Sequence, residues 1–278
     1  MPRIRALLTL STVALLAASG AVAADTPPST TPDGGYEHAT GPDDVVMEIS
    51  FAGGLVPTDI AFVATPSLVV TGDGRLIEEG PFSTIFPGPL LPNIQQRTIS
   101  EDGIQEYLEL ADVYGMLADR QYEGNDLVLD AAVTILTITV GDRTFVHAAY
   151  ALGLGTGPDG SETDPDRADF HDFVTLALDP ERAVDEEELG PIEPFESDSY
   201  LVQARISEGL EYGPDSKPTL VDWPADASVR LADASACAEV PVDDVGSVLG
   251  DADQLTLFID EDETYHVAAT LRPPGRHC

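Results

Sequence analysis

Alternating apolar and polar side chains indicate several strands along this chain. The clearest case covers residues 132–140, where Ile, Leu and Val alternate with Thr, followed by a turn at 141–143 and a second alternating segment over 144–150. A period of two is typical of a strand with one buried face. We therefore expect a β-hairpin in this part of the chain.

The same kind of pattern predicts two more hairpins. Residues 67–71 and 75–77 flank Gly72-Asp73-Gly74, whose glycines tolerate the positive φ of a tight turn. Residues 255–259 and 264–271 flank an acidic tip over 260–263. Single strands are predicted near residues 45–51 and 200–206 from their β-branched and aromatic content.

Apolar residues at spacings of three and four predict helices that follow two capping residues. Ser100 is a suitable N-cap for a helix that runs toward Leu117. Asp164 is a suitable N-cap for a second helix, because Pro165 stands at its first position. A short third helix is predicted over 242–249.

Proline-rich and acidic segments divide the chain. Residues 25–43 are rich in Pro, Gly, Thr and Ser and are predicted to form a disordered spacer, and residues 81–97 hold four prolines and predict an irregular connection. Residues 179–196 are acidic, hold three prolines and read as a boundary. We therefore predict an α+β protein of antiparallel hairpins with helices packed on one face, in two tandem regions over 44–190 and 195–278.

The first 24 residues have the pattern of a secretory signal peptide. Arg3 and Arg5 precede an apolar stretch over 6–18, and Ala21-Val22-Ala23 forms a cleavage site of small residues. The apolar stretch is too short to span a bilayer. We expect a secreted protein whose mature chain has no membrane span.

The charge of the chain excludes one class of partner. The sequence has 13 Lys and Arg against 50 Asp and Glu, a formal net charge of −37. Such a surface repels nucleic-acid phosphates and anionic lipids, so nucleic-acid binding is not expected. It favours an extracellular protein or another ligand that carries positive charge.

The two cysteines, Cys237 and Cys278, are candidates for a single bond near the end of the sequence. A secreted address favours one disulfide between them. Two free thiols and a metal pair are the alternatives that the residues leave open.

Motifs for nucleophilic or zinc-dependent catalysis are absent from the sequence. The densest chemistry is carboxylate, and calcium binds oxygen ligands in acidic loops. The candidate calcium ligands lie in two clusters: Asp159, Asp164, Asp166 and Asp169 in the first, and Asp260 and Asp262 in the second. Neither cluster keeps the spacing of a calcium loop, and a capping role alone accounts for Asp164.

Several segments together resemble a known group of proteins. The segments are Trp223-Pro224, Cys237, Thr264 to Val267, Arg272-Pro273 and Cys278, together with the turn over 72–75 and the helix and hairpin over 100–150. They resemble uncharacterised secreted proteins of high-GC actinobacteria, over most of residues 65–278. The resemblance implies a pairing of Cys237 with Cys278 and a secreted address, and it implies no catalytic residue.

The sequence thus predicts a secreted, acidic, non-enzymatic protein that serves as a binding or envelope-associated module. One alternative is a secreted protein stabilised by calcium. Another is a secreted hydrolase whose site gathers distant residues, with His147 or His266 beside carboxylates in a pocket.

Overall fold

The computed structural model describes residues 34–82, 84–124, 127–157, 160–207 and 217–278. Within these ranges the chain forms five α-helices and twelve strands in mainly antiparallel sheets, so the predicted α+β class is confirmed. The predicted signal peptide over 1–24 and the spacer residues up to 33 lie outside the described residues.

The first sheet has seven strands in the order β6-β5-β1-β2-β3-β4-β7, and every neighbouring pair in it is antiparallel. The predicted hairpins over 67–77 and 132–150 form its β2–β3 and β5–β6 pairs. The strands are β1 (Val45–Gly53), β2 (Leu68–Thr71), β3 (Arg75–Glu79), β4 (Ile94–Thr98), β5 (Ala132–Val140), β6 (Arg143–Tyr150) and β7 (Glu193–Pro194).

The second sheet has five strands in the order β10-β8-β12-β11-β9. Its pairs are antiparallel except for β9 with β11, which run parallel. The strands are β8 (Ser199–Ile206), β9 (Leu220–Asp222), β10 (Ala238–Pro241), β11 (Leu257–Asp260) and β12 (Glu263–Leu271).

Two helices begin directly after the capping residues that the sequence predicted. Ser100 accepts a hydrogen bond from the Gly103 backbone N–H at 3.1 Å, and Asp164 accepts one from the Arg167 backbone N–H at 3.0 Å. The helices are α1 (Thr58–Val63), α2 (Glu101–Val113), α3 (Pro165–Ala177), α4 (Pro180–Ala183) and α5 (Val242–Gly250).

Each sheet has its own hydrophobic core. The larger core packs α2 and α3 against one face of the first sheet, with Tyr107, Phe145, Phe170 and Phe173 fully buried. Each of the three phenylalanines contributes roughly 1.5–3 kcal/mol by leaving water. The smaller core packs α5 against the second sheet around Phe258 and Trp223.

The opposite face of the first sheet, which we call the outer face, is covered only in part. Val69, Ile77 and Ile94 on β2, β3 and β4 pack there against Phe195, with Leu271 of the second sheet beside them. The outer face of β1 and β5 instead borders an open cleft. A ligand can therefore reach this face of the sheet at β1 and β5, where it is not covered.

Two features of the first region differ from the sequence interpretation. The segment 81–97, predicted as an irregular connection, contains strand β4 from Ile94 onward, after its last proline. Residues 34–43 of the predicted spacer contact the folded chain, since the Tyr36 N–H donates to Gln105 Oε1 at 2.6 Å and the Tyr36 hydroxyl donates to Asp112 at 2.9 Å. These contacts use side chains that lie about 70 residues away along the chain.

Candidate binding clefts beside helix α1

Helix α1 lies between the two sheets and separates two cavities. None of its residues is fully buried, and polar contacts hold it at both ends. Asp59 in its first turn forms an ion pair with Arg205 of β8. At its other end, Arg276 donates to the Phe62 carbonyl at 2.9 Å and to the Ala64 carbonyl at 2.8 Å. Both arginines belong to the second region, so these contacts tie the two sheets together.

The larger cavity, which we call the outer cleft, has a volume of about 780 Å³. Its floor is the outer face of β1 and β5, one wall is α1, and the other wall is the segment 273–276. The side chains that line it include Glu48, Ser50, Thr137 and Thr139 on the floor, Ile60 of α1 with the nearby Val56, and Arg276.

The alternation of β1 explains the chemistry of this floor. Val46, Met47 and Ile49 are buried, whereas Glu48 and Ser50 are partly exposed and line the cleft. Across the strand pair, Glu48 lies opposite Thr137. The floor is therefore built from small polar residues around a single carboxylate.

The surroundings of Glu48 in this cleft shift the pKa of its carboxyl group. Burial raises the pKa of its carboxyl above the usual 4.5, while the charge of Arg276 and a hydrogen bond from Ser50 lower the pKa by less. Arg276 does not form a direct ion pair with it, because the guanidinium donates to the two carbonyls of the α1 end. Glu48 is thus a partly buried acid that a ligand cation would stabilise in its ionised form.

The smaller cavity is a crevice of about 300 Å³ on the other side of α1, between the helix and strands β8 and β12. His266, Arg205 and Asp59 line it. Burial and then the charge of Arg205 lower the pKa of His266, and Asp59 opposes them. His266 is therefore neutral near pH 7, beside an ion pair.

The connections at this end of the first sheet are apolar and almost uncharged. The β1–β2 connection over 54–67 has one charged residue, Asp59, and the β3–β4 connection over 80–93 has none. Leu55 and Phe82 are 89% and 85% exposed. The first connection leads into β2 and the second leaves the neighbouring strand β3, and Thr65 donates to Glu79 at 3.3 Å between their bases. In a chain of charge −37, such a surface is a candidate contact site.

His147, a candidate of the hydrolase hypothesis, lies inside the larger core. Its Nε2–H donates to the Met116 carbonyl at 2.8 Å, and its Nδ1 therefore accepts from the Tyr122 hydroxyl at 2.7 Å. Burial is the largest cause that lowers the pKa of His147. Both ring nitrogens are occupied by core groups, so this histidine has a structural role.

Two of the four carboxylates in the first predicted calcium cluster share one arginine. Asp166 and Asp169 pair with Arg120 at 3.2 and 3.4 Å, and Asp164 caps α3. Glu162 in the same loop pairs with the buried Arg167 at 2.8 Å. Asp159 lies outside the described residues.

The second predicted calcium cluster is split by the hairpin turn. Asp260 and Glu263 pair across the strands and the turn itself is Glu261-Asp262, so the tip is shorter than the predicted 260–263. Asp260 is buried, accepts from the Leu231 N–H at 2.7 Å and pairs with Arg230, whereas Asp262 is exposed. Among the described residues, no group of three or more His, Cys, Asp or Glu is arranged to hold a metal ion. Calcium binding stays a prediction, which a comparison of the melting temperatures in calcium and in magnesium checks.

The two cysteines meet as the resemblance implied. Cys237 and Cys278 form a disulfide with their Cα atoms 5.4 Å apart. The bond fixes the end of the segment that carries Arg276 to the loop before β10. A disulfide is compatible with an extracellular location.

Comparisons with known proteins leave the site to be interpreted from its geometry. No family model, no curated protein and no solved structure matches this chain. The resemblance to secreted actinobacterial proteins therefore stays a prediction. No helix among the described residues is both long and apolar enough to cross a bilayer.

Sequence reasoning missed the outer cleft. Glu48 is one of 50 acidic residues, and only the alternation of its strand indicated that it faces away from the core. Arg276 follows Pro273-Pro274-Gly275, a segment without periodicity. Helix α1 has six residues, too few to produce a helical pattern.

Proposed function

We propose that this protein is a secreted, non-enzymatic binding module that takes a ligand with a basic group and an apolar body, such as a basic segment of an extracellular protein. The observation that carries the proposal is Glu48, a partly buried carboxylate on the polar floor of a cleft that has apolar side chains at its rim. A ligand cation would offset the cost of ionising this acid there.

The charge and the surface of the molecule support the same class of ligand. The net charge of −37 attracts cations over long distances and repels anionic competitors. The exposed Val56 and Ile60 at the cleft rim would contact the apolar part of the ligand. The net negative charge thus favours fast association with a basic ligand, and the apolar rim favours slow dissociation of that ligand.

The test is the binding of a labelled peptide amide with the sequence Leu-Arg-Leu-Arg-Leu, measured by fluorescence anisotropy at constant ionic strength. The matched control peptide has Glu in place of Arg. We expect only the basic peptide to bind, and we expect Glu48→Gln to weaken binding by about ten-fold, the scale of one lost charge-assisted contact. Glu109→Gln on the exposed face of α2 changes the net charge equally and should have little effect.

The pH dependence of peptide binding is a second test of the role of Glu48. Because the pKa of Glu48 lies above its usual value, the carboxylate ionises as the pH rises through that raised pKa, and binding should strengthen over the same range. Glu48→Gln should remove this dependence. Equal weakening by the Glu48 and Glu109 variants would show that only overall charge matters and would overturn the proposal.

A second candidate is a hydrolase centred on the crevice, favoured by the position of His266 near Asp59. The ion pair of Asp59 with Arg205 leaves that carboxylate less able to orient the histidine. Hydrolysis of p-nitrophenyl acetate by the protein and by its His266→Gln variant tests this role. Equal rates would remove the candidate.

A further inference from the structure

We propose that the outer cleft contains a recognition site for a guanidinium group, and that Arg276 of the same chain occupies this site in the absence of a partner. The inference rests on the proposed function and names the chemistry of its ligand, an arginine side chain. Segment 272–278, which we call the strap, then acts as an intramolecular competitor.

The contacts of Arg276 have the geometry of guanidinium recognition. Its Nη1 donates to the Ala64 carbonyl at 2.8 Å and its Nη2 donates to the Phe62 carbonyl at 2.9 Å. These carbonyls lie at the end of α1, where the helix supplies no N–H partners for them. Two acceptors aligned with two nitrogens of one planar group favour arginine over lysine, whose ammonium is a single point charge.

The charge around this site fits the same group. The Arg276 charge lowers the pKa of Glu48, so the two side chains attract each other within the cleft. Glu48 and Ala64 both line the outer cleft, and the Arg276 guanidinium is held there by the Ala64 and Phe62 carbonyls. Arg276 thereby marks the position that the guanidinium of a bound partner would take.

The strap is fixed on both sides of Arg276. Before it, Arg272 donates to Asp43 at 3.2 Å, and the Arg272 backbone N–H donates to the Ser199 carbonyl at 2.9 Å. After it, Cys278 is bonded to Cys237. A side chain tethered in this way is present at a high effective concentration, so it lowers the apparent affinity for any competing arginine.

Chemical rescue tests the recognition site. Arg276→Ala removes the side chain, and we expect the melting temperature to fall and then to rise again with added methylguanidinium. Methylammonium at the same ionic strength should not restore it, and wild type should not respond to either cation. Equal responses of the variant and wild type, or equal responses to the two cations, would overturn the inference.

Competition tests the role of the strap. The labelled Leu-Arg-Leu-Arg-Leu peptide should bind Arg276→Ala about ten-fold more tightly than wild type, because the site is no longer occupied from within. The peptide with Lys in place of Arg should gain less. A double Cys237→Ser, Cys278→Ser variant, which keeps Arg276 but frees the strap at one end, should also bind the arginine peptide more tightly. Unchanged affinity in both variants would overturn the strap's role.

The two proposals fail in different ways. Loss of peptide binding in Glu48→Gln together with failed rescue of Arg276→Ala would leave the basic-ligand function and remove the guanidinium site. Successful rescue with no binding of any basic peptide would leave a structural guanidinium site and remove the function.

Discussion

Burial favours the neutral forms of both Glu48 and His147, but the consequences for the two residues differ. Burial raises the pKa of Glu48 and lowers the pKa of His147. His147 has protein partners for both ring nitrogens, so its neutral form is fully accommodated. Glu48 faces an open cleft, which makes it the residue placed to meet a ligand.

At this scale we predict that His147 makes the stability depend on pH. Its pKa in the folded state lies below the usual 6.5, so protons bind the unfolded chain more readily and stability falls as the pH drops below about 6.5. Urea unfolding at pH 7.5 and pH 5.5 should show a smaller loss of stability for His147→Gln than for wild type. The variant should also be less stable at pH 7.5 by about 1–3 kcal/mol, because the Met116 and Tyr122 contacts are disturbed.

His266 also contributes to the pH dependence of stability, because its pKa is lowered as well. His266→Gln should remove a separate part of the pH dependence without a large cost at pH 7.5, since His266 is only partly buried. Equal losses in wild type and in both variants would contradict the assignment.

Local signals in the sequence predicted the helices and hairpins that are stabilised by interactions between residues close together along the chain. The caps Ser100 and Asp164 and the turns at 72–74 and 141–142 all lie within a few residues of the groups they satisfy. Strand β4 and helix α1 were missed for the opposite reason. β4 contains Gln95 and Gln96 and becomes a strand by pairing with β3, on the far side of the proline-rich connection, and with β7, which is distant in sequence.

At the scale of elements we predict that Arg167 is the main anchor of the loop between β6 and α3. Its guanidinium donates to both Glu162 oxygens and to the carbonyls of Glu123, Tyr150 and Ala151. Arg167→Ala should cost roughly 3–5 kcal/mol, because it leaves Glu162 as an unpaired buried carboxylate. Urea unfolding measures the difference.

The matched control is Arg182→Ala, which removes an exposed arginine paired with Asp179 at 3.8 Å. An exposed pair of this kind contributes less than about 1 kcal/mol. Similar losses in the two variants would mean that the buried network does not hold the loop.

At the scale of the whole molecule, charge governs the solvation of the surface, and a few contacts between distant residues govern how the two sheets are joined. Fifty carboxylates keep the surface solvated, while the two sheets are joined by a small number of specific contacts. Gly88 donates to Gln254 at 3.2 Å, and Asp59 pairs with Arg205. The two connections over 54–67 and 80–93, whose single charged residue is Asp59, supply the first-sheet partners of both contacts.

We predict that the disulfide stabilises the second region. Cys237 and Cys278 are 41 residues apart, and closing a loop of that length contributes about 4 kcal/mol in the chain-entropy description. The double serine variant should unfold at lower urea concentration when Trp223 fluorescence is followed, because this single tryptophan is buried in the second core. Wild type treated with a reductant should match the variant, and an unchanged midpoint would contradict the prediction.

The sequence by itself determined the features that depend on neighbours along the chain: the hairpins, the helix caps, the α+β class and the acidic surface. Only the tertiary structure decided the outer cleft, because Arg276 and the Phe62 carbonyl that it contacts are 214 residues apart. The same holds for His147, whose environment is set by burial among Met116, Tyr122 and Phe170. The pKa shift and the ligand chemistry of a group depend on the atoms packed around it in space, and periodicity along the chain carries no record of those atoms.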